Sequence, residues 1–509
     1  MNPALHALTI LTRLAGRRAE ETGKLRAALS GRIDSLGALA IQVGIETGDP
    51  IGRVLDQVLS EQGNDQVAQR LFQLLPENSV ALRELAATVT SMVLSAKSTS
   101  LSPEDTAVLR LDLSSRLSAI GERQAALREA ERAVESLRGE HKQRAADLAR
   151  ALETLSSCLD EVGRYADGLS AIRESVEIRE GLARISDPES QARLARALGL
   201  QAASLRSMGE RPEAVRCSNR AVDLVRRIML QHPGKYRTLL AEQLSKLATF
   251  RIEANDVDGS IAAGKEALDL YRTLADRNPD QFLPLLAVEL NNVANELAIG
   301  RSFNEALGLL EEADSIMAKL AATRPDAFAE QHARILNSLS NRLNDVDRTE
   351  EAIETSKRAI QILRPLVERD PEAFQQRLGM ALHSLAYRFF EASRIDESLA
   401  TIDEAILIRR GLLSAAPAAM RVALAMSGAV RASTLRKAGR ILEACEQIRE
   451  ATESLIVAAR ELGSSVSREA KEIGGRTLNW HTEANIPLPP QLLTELGQLT
   501  GVKSFGAIS

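Results

Sequence analysis

Five prolines (Pro233, Pro279, Pro325, Pro371 and Pro417) follow one another at a fixed interval of 46 residues. A period of that length constrains the fold more than any composition does, because each unit can bury its apolar face only against copies of itself. Three residues after each proline stands a bulky side chain, namely Tyr236, Phe282, Phe328, Phe374 and Met420. Asp280, Asp326 and Glu372 directly follow three of the prolines. Proline at the first helical position loses no needed N–H, and an acid beside it complements the helix dipole, so each is read as a helix start. An earlier pair, Asp187-Pro188, is out of step by one.

Downstream of each start the same columns recur. Leu148, Leu194, Leu240, Leu286, Leu378 and Leu424 form one, with His332 as its polar intruder. Four residues on lie Leu152, Leu198, Leu244, Leu290, Leu336, Leu382 and Gly428. Another four on, every residue is small: Ser156, Ala202, Ala248, Ala294, Ser340, Ala386 and Ala432. Spacing of four places the three columns on one helical face, and the small column predicts a close neighbouring backbone. A turn follows with Gly163, Gly209, Asn255 and Gly439 at matching positions, residue types that tolerate the left-handed conformation ending a helix. The second helix opens with Glu213-Ala214, Glu305-Ala306, Glu351-Ala352, Glu397-Ser398 or Glu443-Ala444. Seven residues past each small residue stands an alanine, the column Ala221, Ala267, Ala313, Ala359, Ala405 and Ala451. Aromatics make up 3% of the chain against 44% hydrophobic residues, and this Ala- and Leu-rich core material favours helices.

The small residue midway along the first helix, the Gly turn and the paired alanines of the second helix resemble the tetratricopeptide repeat. Seven units match between Leu148 and Arg460, and a shorter-spaced one precedes them at Leu113, Leu117, Gly121, Ala126 and Ala133. The family's usual period is about 34 residues, whereas HEAT and armadillo repeats have a longer one. The Gly turn and the alanine pair favour lengthened tetratricopeptide units. The resemblance implies an all-α chain, a right-handed α-solenoid of antiparallel helix pairs with a non-repeat helical N-terminal region.

Three regions are expected: 1–100 helical, 101–462 solenoid, 463–509 cap and extended tail. Helices are predicted at Ala4–Ala15, Ile33–Ile45, Ile51–Glu61, Asp65–Leu74 and Ser79–Ala96, separated by Gly48-Asp49-Pro50, Gly63-Asn64 and Pro76-Glu77-Asn78. The stretch from Asp49 to Met92 resembles the helices that precede tetratricopeptide arms in bacterial signal-transduction ATPases. The phosphate-binding motif of an ATPase is missing: Gly23-Lys24 is followed by leucine and Gly264-Lys265 by glutamate. The tail carries Trp480, an extended Ile486–Pro490 stretch and a predicted helix Leu492–Leu499. It is expected to cap the last apolar face, the alternative being an internal ligand of the groove.

The chain offers little to catalysis. Its histidines (6, 141, 232, 332, 383 and 481) form no metal-binding pair at helical spacing, and no nucleophile elbow occurs. Cys158, Cys217 and Cys445 are too few and too scattered for a zinc site or a disulfide framework. With 64 basic and 69 acidic residues interspersed, no grip on nucleic acid is expected. No uncharged run is long enough to span a bilayer and Met1–Arg18 lacks a basic leader pattern, so a cytoplasmic protein without cofactor, metal or membrane partner is expected.

A solenoid presents a curved surface lined by its first helices. The residue after each small position should face it, and so should the residue one turn earlier. In the fifth and sixth repeats these positions hold Asn291, Asn295, Asn337 and Asn341, with Arg334 and Asn344 nearby and His383 and Tyr387 on the next first helix. An asparagine amide both donates and accepts, so it can bracket a peptide bond. In tetratricopeptide proteins, asparagines at matching inner positions often do that. The family's clamp for a C-terminal carboxylate needs lysine and arginine where this chain has Met380 and Ser384. The expected role is a non-enzymatic adaptor, scaffold or sensor binding a protein or peptide in this groove, as in the recognition arm of a bacterial signalling or defence system. The alternatives are a regulator with phosphatase-type activity of its own and a spacer that self-associates through its end repeats.

Overall fold

The computed structural model describes residues 3–16, 19–47, 50–63, 65–76, 82–97, 100–138, 144–183, 187–232, 234–414, 417–462 and 466–500. Gly48-Asp49, Asn64, Glu77-Asn78-Ser79, His141, Pro233 and residues 463–465 and 501–509 lie outside the described residues. All regular structure among the described residues is helical. The chain divides into two packed units, Met1–Asp276 and Arg277–Ser509.

The first unit begins with α1 (Pro3–Ala15), α2 (Ala19–Leu29), α3 (Ile33–Thr47), α4 (Ile51–Gln62), α5 (Asp65–Phe72) and α6 (Arg83–Lys97). Their shared core holds Leu25, Leu29, Ile41, Ile51, Leu55, Leu59 and Leu85. The sequence reading lacked α2, whose polar stretch with Gly23 buries little besides the pair Leu25 and Leu29. Pairs then follow as α7/α8 (Pro103–Ala119, Arg123–Leu137), α9/α10 (Ala145–Glu161, Tyr165–Leu182), α11/α12 (Pro188–Ser207, Arg211–Gln231) and α13/α14 (Arg237–Glu253, Val257–Arg277).

The second unit continues with α15/α16 (Pro279–Ile299, Phe303–Thr323), α17/α18 (Pro325–Asp345, Thr349–Arg369) and α19/α20 (Pro371–Glu391, Ile395–Gly411). It closes with α21/α22 (Pro417–Lys437, Ile441–Leu462) and α23/α24 (Ser467–Glu483, Pro490–Thr500). Pro279, Pro325, Pro371 and Pro417 each open a first helix, as their spacing predicted.

The columns decide the packing. Small residues from Ser156 to Ala432 are at most 2% exposed, and the alanines from Ala221 to Ala451 at most 3%, so both columns are seats for a neighbouring helix. Four hydroxyls show how near the helices come. Ser114, Ser260, Ser340 and Ser398 each donate to the carbonyl of an alanine across the pair, at 2.8–2.9 Å.

One turn geometry recurs nine times. A residue with positive φ ends each first helix, at Gly121, Gly163, Gly209, Asn255, Arg301, Asp347, Ser393, Gly439 and Asn485. The next residue donates its N–H back five positions, as in Ser302 to Leu297 and Arg394 to Phe389, both at 2.8 Å. This closes the last open carbonyls of the helix. Asn485 lies 46 residues after Gly439, so the register runs on past residue 462 into α23 and α24. There Val466, Ala470 and Ile473 complete the core begun by Ala425, Ala429 and Ile448, with Trp480 packed against it. Leu492 and Leu496 of α24 cover Ile456.

Candidate binding face

In the second unit each first helix packs directly on the next, α15 on α17, α17 on α19, α19 on α21 and α21 on α23. Successive second helices of this unit pack less closely, α22 on α24 excepted, among the described residues. First helices therefore line the tighter side of the stack, its inner face.

Residues following the small column reach this face. Asn295 and Tyr387 are exposed, and Asn341 and Ser433 are half-buried. The column one turn earlier sits deeper, in the seam between successive first helices. Asn291 is only 4% exposed and its Oδ1 finds no partner among the described residues. It was expected on the open surface. Asn337 and His383 are half-buried in the same column. The seam is close enough that His383 Nδ1 lies 3.2 Å from Ser427 Oγ on the next first helix. Arg334 is exposed, and half-buried Asn344 carries a second unpartnered Oδ1.

Asn341 is already held by a neighbouring first helix. Its Oδ1 accepts from Arg388 Nη2 at 2.5 Å, which leaves it one lone pair and its amide N–H groups to offer. Arg388 is 6% exposed, lies 3.7 Å from Glu391 and has its guanidinium 5.5 Å from the Tyr387 ring centre. Burial pulls the Arg388 pKa down, while Glu391, Tyr387 and Asp345 oppose that pull. Burial and then Glu391 push the Tyr387 hydroxyl up. The sequence held a signal for Arg388. Its column reads Cys158, Ser204, Phe250, Glu296, Arg342, Arg388 and Thr434, so charge enters this column on α15, α17 and α19.

A second unrecognised arginine comes from α20. Arg409 Nη1 donates to the Ala423 carbonyl at 2.6 Å and to Ser427 Oγ, the hydroxyl that also faces His383. Gly379 of α19 lies beside its stem, and a Cβ there would come within 3.6 Å of Arg409 Cγ. Burial lowers Arg409 to about 10, so it keeps its charge at neutral pH. His383 is driven down to about 3, first by burial and then by Arg409 and Arg388. The imidazole is therefore neutral at pH 7 and adds no charge of its own. The inner face over α17, α19 and α21 thus combines amide donors, an aromatic ring and two buried guanidinium groups.

His332, the polar intruder of the leucine column, is matched by a carboxylate on α16, the second helix of the preceding pair. Its Nε2 lies 2.7 Å from Asp314 Oδ1, and Arg358 Nη2 reaches the same carboxylate at 3.2 Å. Burial works against the Asp314 charge, but His332 and Arg358 outweigh it and hold the carboxyl below its ordinary range. No group of three or more metal-ligating side chains occurs among the described residues. No described helix is long and apolar enough to cross a membrane. An open cleft of about 890 Å³ lies in the first unit between α12 and α13, lined by Arg226, Arg227, Leu230 and Arg237 among others.

No family model matches the chain, and no curated protein matches it. Solved structures do resemble it. The apo form of RapI is 12% identical with a TM-score of 0.52, covering 77% of this chain and 96% of its own. The apo form of the quorum sensor NprR from B. thuringiensis is 13% identical at a TM-score of 0.47, covering 78% and 99%. A signal transduction ATPase with a tetratricopeptide repeat sensor, from Pyrococcus horikoshii, is 12% identical at a TM-score of 0.46, covering 76% of this chain and 54% of its own. The fold is tetratricopeptide-like, an α-solenoid of helix pairs.

Proposed function

We propose that this tetratricopeptide-like chain is a binding module, taking an extended peptide or protein segment along the inner face of α15, α17, α19 and α21. The observation that carries the reading is the column Asn295, Asn341 and Tyr387. At one position on successive first helices, directly after the buried seats Ala294, Ser340 and Ala386, side chains able to hydrogen-bond stand exposed or half-exposed on the inner face. Packed helices lie about 10 Å apart, and an extended chain advances about 3.3 Å per residue. Each step between first helices therefore spans about three residues of a ligand, and the three steps from α15 to α21 span about nine. Asn295 and Asn337 supply the free amides, and Tyr387 a stacking surface.

A peptide selected on the wild-type protein from a display library is the reagent for the test. The double variant Asn295→Ala and Asn337→Ala removes exposed or half-exposed amides without touching the core, so its circular dichroism and melting should match wild type. Loss of two hydrogen bonds at about 1 kcal/mol each weakens binding roughly thirtyfold. Unchanged affinity for every selected peptide would move the ligand off this face.

A further inference from the structure

Arg409 occupies a position that the rest of the array gives to the core. At intervals of 46 the column reads Arg179, Val225, Tyr271, Met317, Leu363, Arg409 and Leu455. All are buried, the two arginines at 6% exposure each. A guanidinium taken out of water needs a counter-charge, and where it stands near a protein surface that charge can come from outside.

The two arginines meet that need differently. Arg179 pairs through Nε with Glu153 on the first helix of its own repeat, and Ser175 Oγ donates to the same carboxylate at 3.0 Å. Glu153 and Arg179 each lie 230 residues before His383 and Arg409, which is five repeats, so the second site is the register copy of the first. In that copy the carboxylate has become His383. Arg409 makes no ion pair among the described residues, and only its Nη1 is engaged, by a carbonyl and a hydroxyl. The Nε–H and the Nη2 N–H groups keep their hydrogens unclaimed there. His383, half-buried on the inner face, stands where the missing carboxylate would be.

We infer that Arg409, with Ser427 and His383, forms a receptor for one carboxylate of a ligand lying on the inner face of α19 and α21, the ligand supplying what Glu153 supplies to Arg179. This rests on the reading of the inner face as a binding groove and adds the chemistry of one contact. A carboxylate is favoured because the register copy uses one, and because the guanidinium fork matches a planar two-oxygen acceptor. The neutrality of His383 at pH 7 fits the role, since a protonated ring beside Arg409 would add a second buried charge. Neighbouring Arg388, already facing Asn341 and Glu391, adds positive potential without competing for the same oxygens.

The test uses acetate on the whole chain at pH 7, replacing chloride at constant ionic strength, with thermal unfolding as readout. Wild type should melt higher in acetate, with a saturable response. His383→Glu rebuilds the Glu153–Arg179 pair, so it should melt higher than wild type in chloride and lose the acetate response. Arg409→Leu places the Leu363 side chain in its own column and should also lose the response, which keeps the test sharp if His383→Glu folds poorly. An equal response in all three proteins, or none in wild type, overturns the inference. Three blocked pentapeptides then separate the sources of the carboxylate. Tighter binding, by about tenfold or more, of acetyl-Ala-Ala-Glu-Ala-Ala-amide than of its Gln counterpart assigns a side-chain carboxylate. The same preference for acetyl-pentaalanine with a free C-terminus assigns a chain end. Loss of peptide binding in the Asn295/Asn337 variant with the acetate response intact separates the two readings, because Arg409 then still works. Equal weak binding of all three peptides to wild type overturns the site.

Discussion

Replacing Arg301 by glycine should stabilise the second unit, a gain that no side-chain contact of Arg301 would suggest. Arg301 ends α15 at φ 62°, the left-handed position that Gly163, Gly209 and Gly439 occupy in the equivalent turns. A side chain with a Cβ is strained there by about 1–2 kcal/mol. Glycine removes that strain but gives back about 0.5–1 kcal/mol through its freer unfolded chain. The net expectation is a gain of roughly 0.5–1 kcal/mol. Asp347 and Ser393 hold the same conformation at φ 62° and 61° and end α17 and α19. Their glycine variants should act in the same direction, Asp347→Gly least of the three because aspartate tolerates this region best. Asn255→Gly should change stability hardly at all, for the same reason. Urea unfolding followed by circular dichroism at 222 nm measures all four, with shifts in midpoint compared at constant slope. Destabilisation by Arg301→Gly, or equal gains at Asn255 and Arg301, would refute the assignment of strain to the turn.

Truncation of Leu290, wholly buried on α15, to alanine should cost about 3 kcal/mol, read from the same unfolding curves. Ala294→Leu should cost about 1–3 kcal/mol, because its fully buried place in the small column leaves no room for a branched side chain. His383 contributes a pH dependence whose sign follows from its low folded pKa. The unfolded chain takes up a proton near 6.5 that the folded one refuses until about 3, so its contribution is present above 6.5 and lost as pH falls toward 3. Between pH 7 and pH 5 the wild type should lose stability on the order of 1 kcal/mol more than His383→Gln. Asp314 acts lower on the scale: its depressed carboxyl stabilises above about pH 4 and ceases to as pH falls through its folded value, a slope that Asp314→Asn should remove.

The repeat was legible because close helix packing repeats the same small residues, and nothing else places Ser156, Ala202, Ala248, Ala294, Ser340, Ala386 and Ala432 at one interval. The turns were half legible. Glycine and asparagine announce a left-handed residue, whereas Arg301, Asp347 and Ser393 adopt it under the pull of the packing on either side. A different feature hid α23, whose small-column position carries Leu478, although its turn residue Asn485 keeps the register. In the candidate face, the inner column could be counted from the register, and Asn295 and Tyr387 are exposed. Depth could not be counted. Asn291 lies in the seam, and the Asn341 carbonyl is taken by an arginine three-dimensionally adjacent but 47 residues away. Arg409 escaped notice because it belongs to a second helix, although an arginine in a column of Val, Tyr, Met and Leu was a visible anomaly.

The inner face itself is tested most directly by photo-crosslinking. A benzoylphenylalanine placed at Asn295 or Tyr387 faces the first-helix side, whereas one at exposed Lys319 on α16 lies on a second helix. With a labelled peptide selected on the wild-type protein, positions 295 and 387 should capture it and position 319 should not. Capture at 319 as efficient as at 295 and 387, or at 319 alone, would contradict the account.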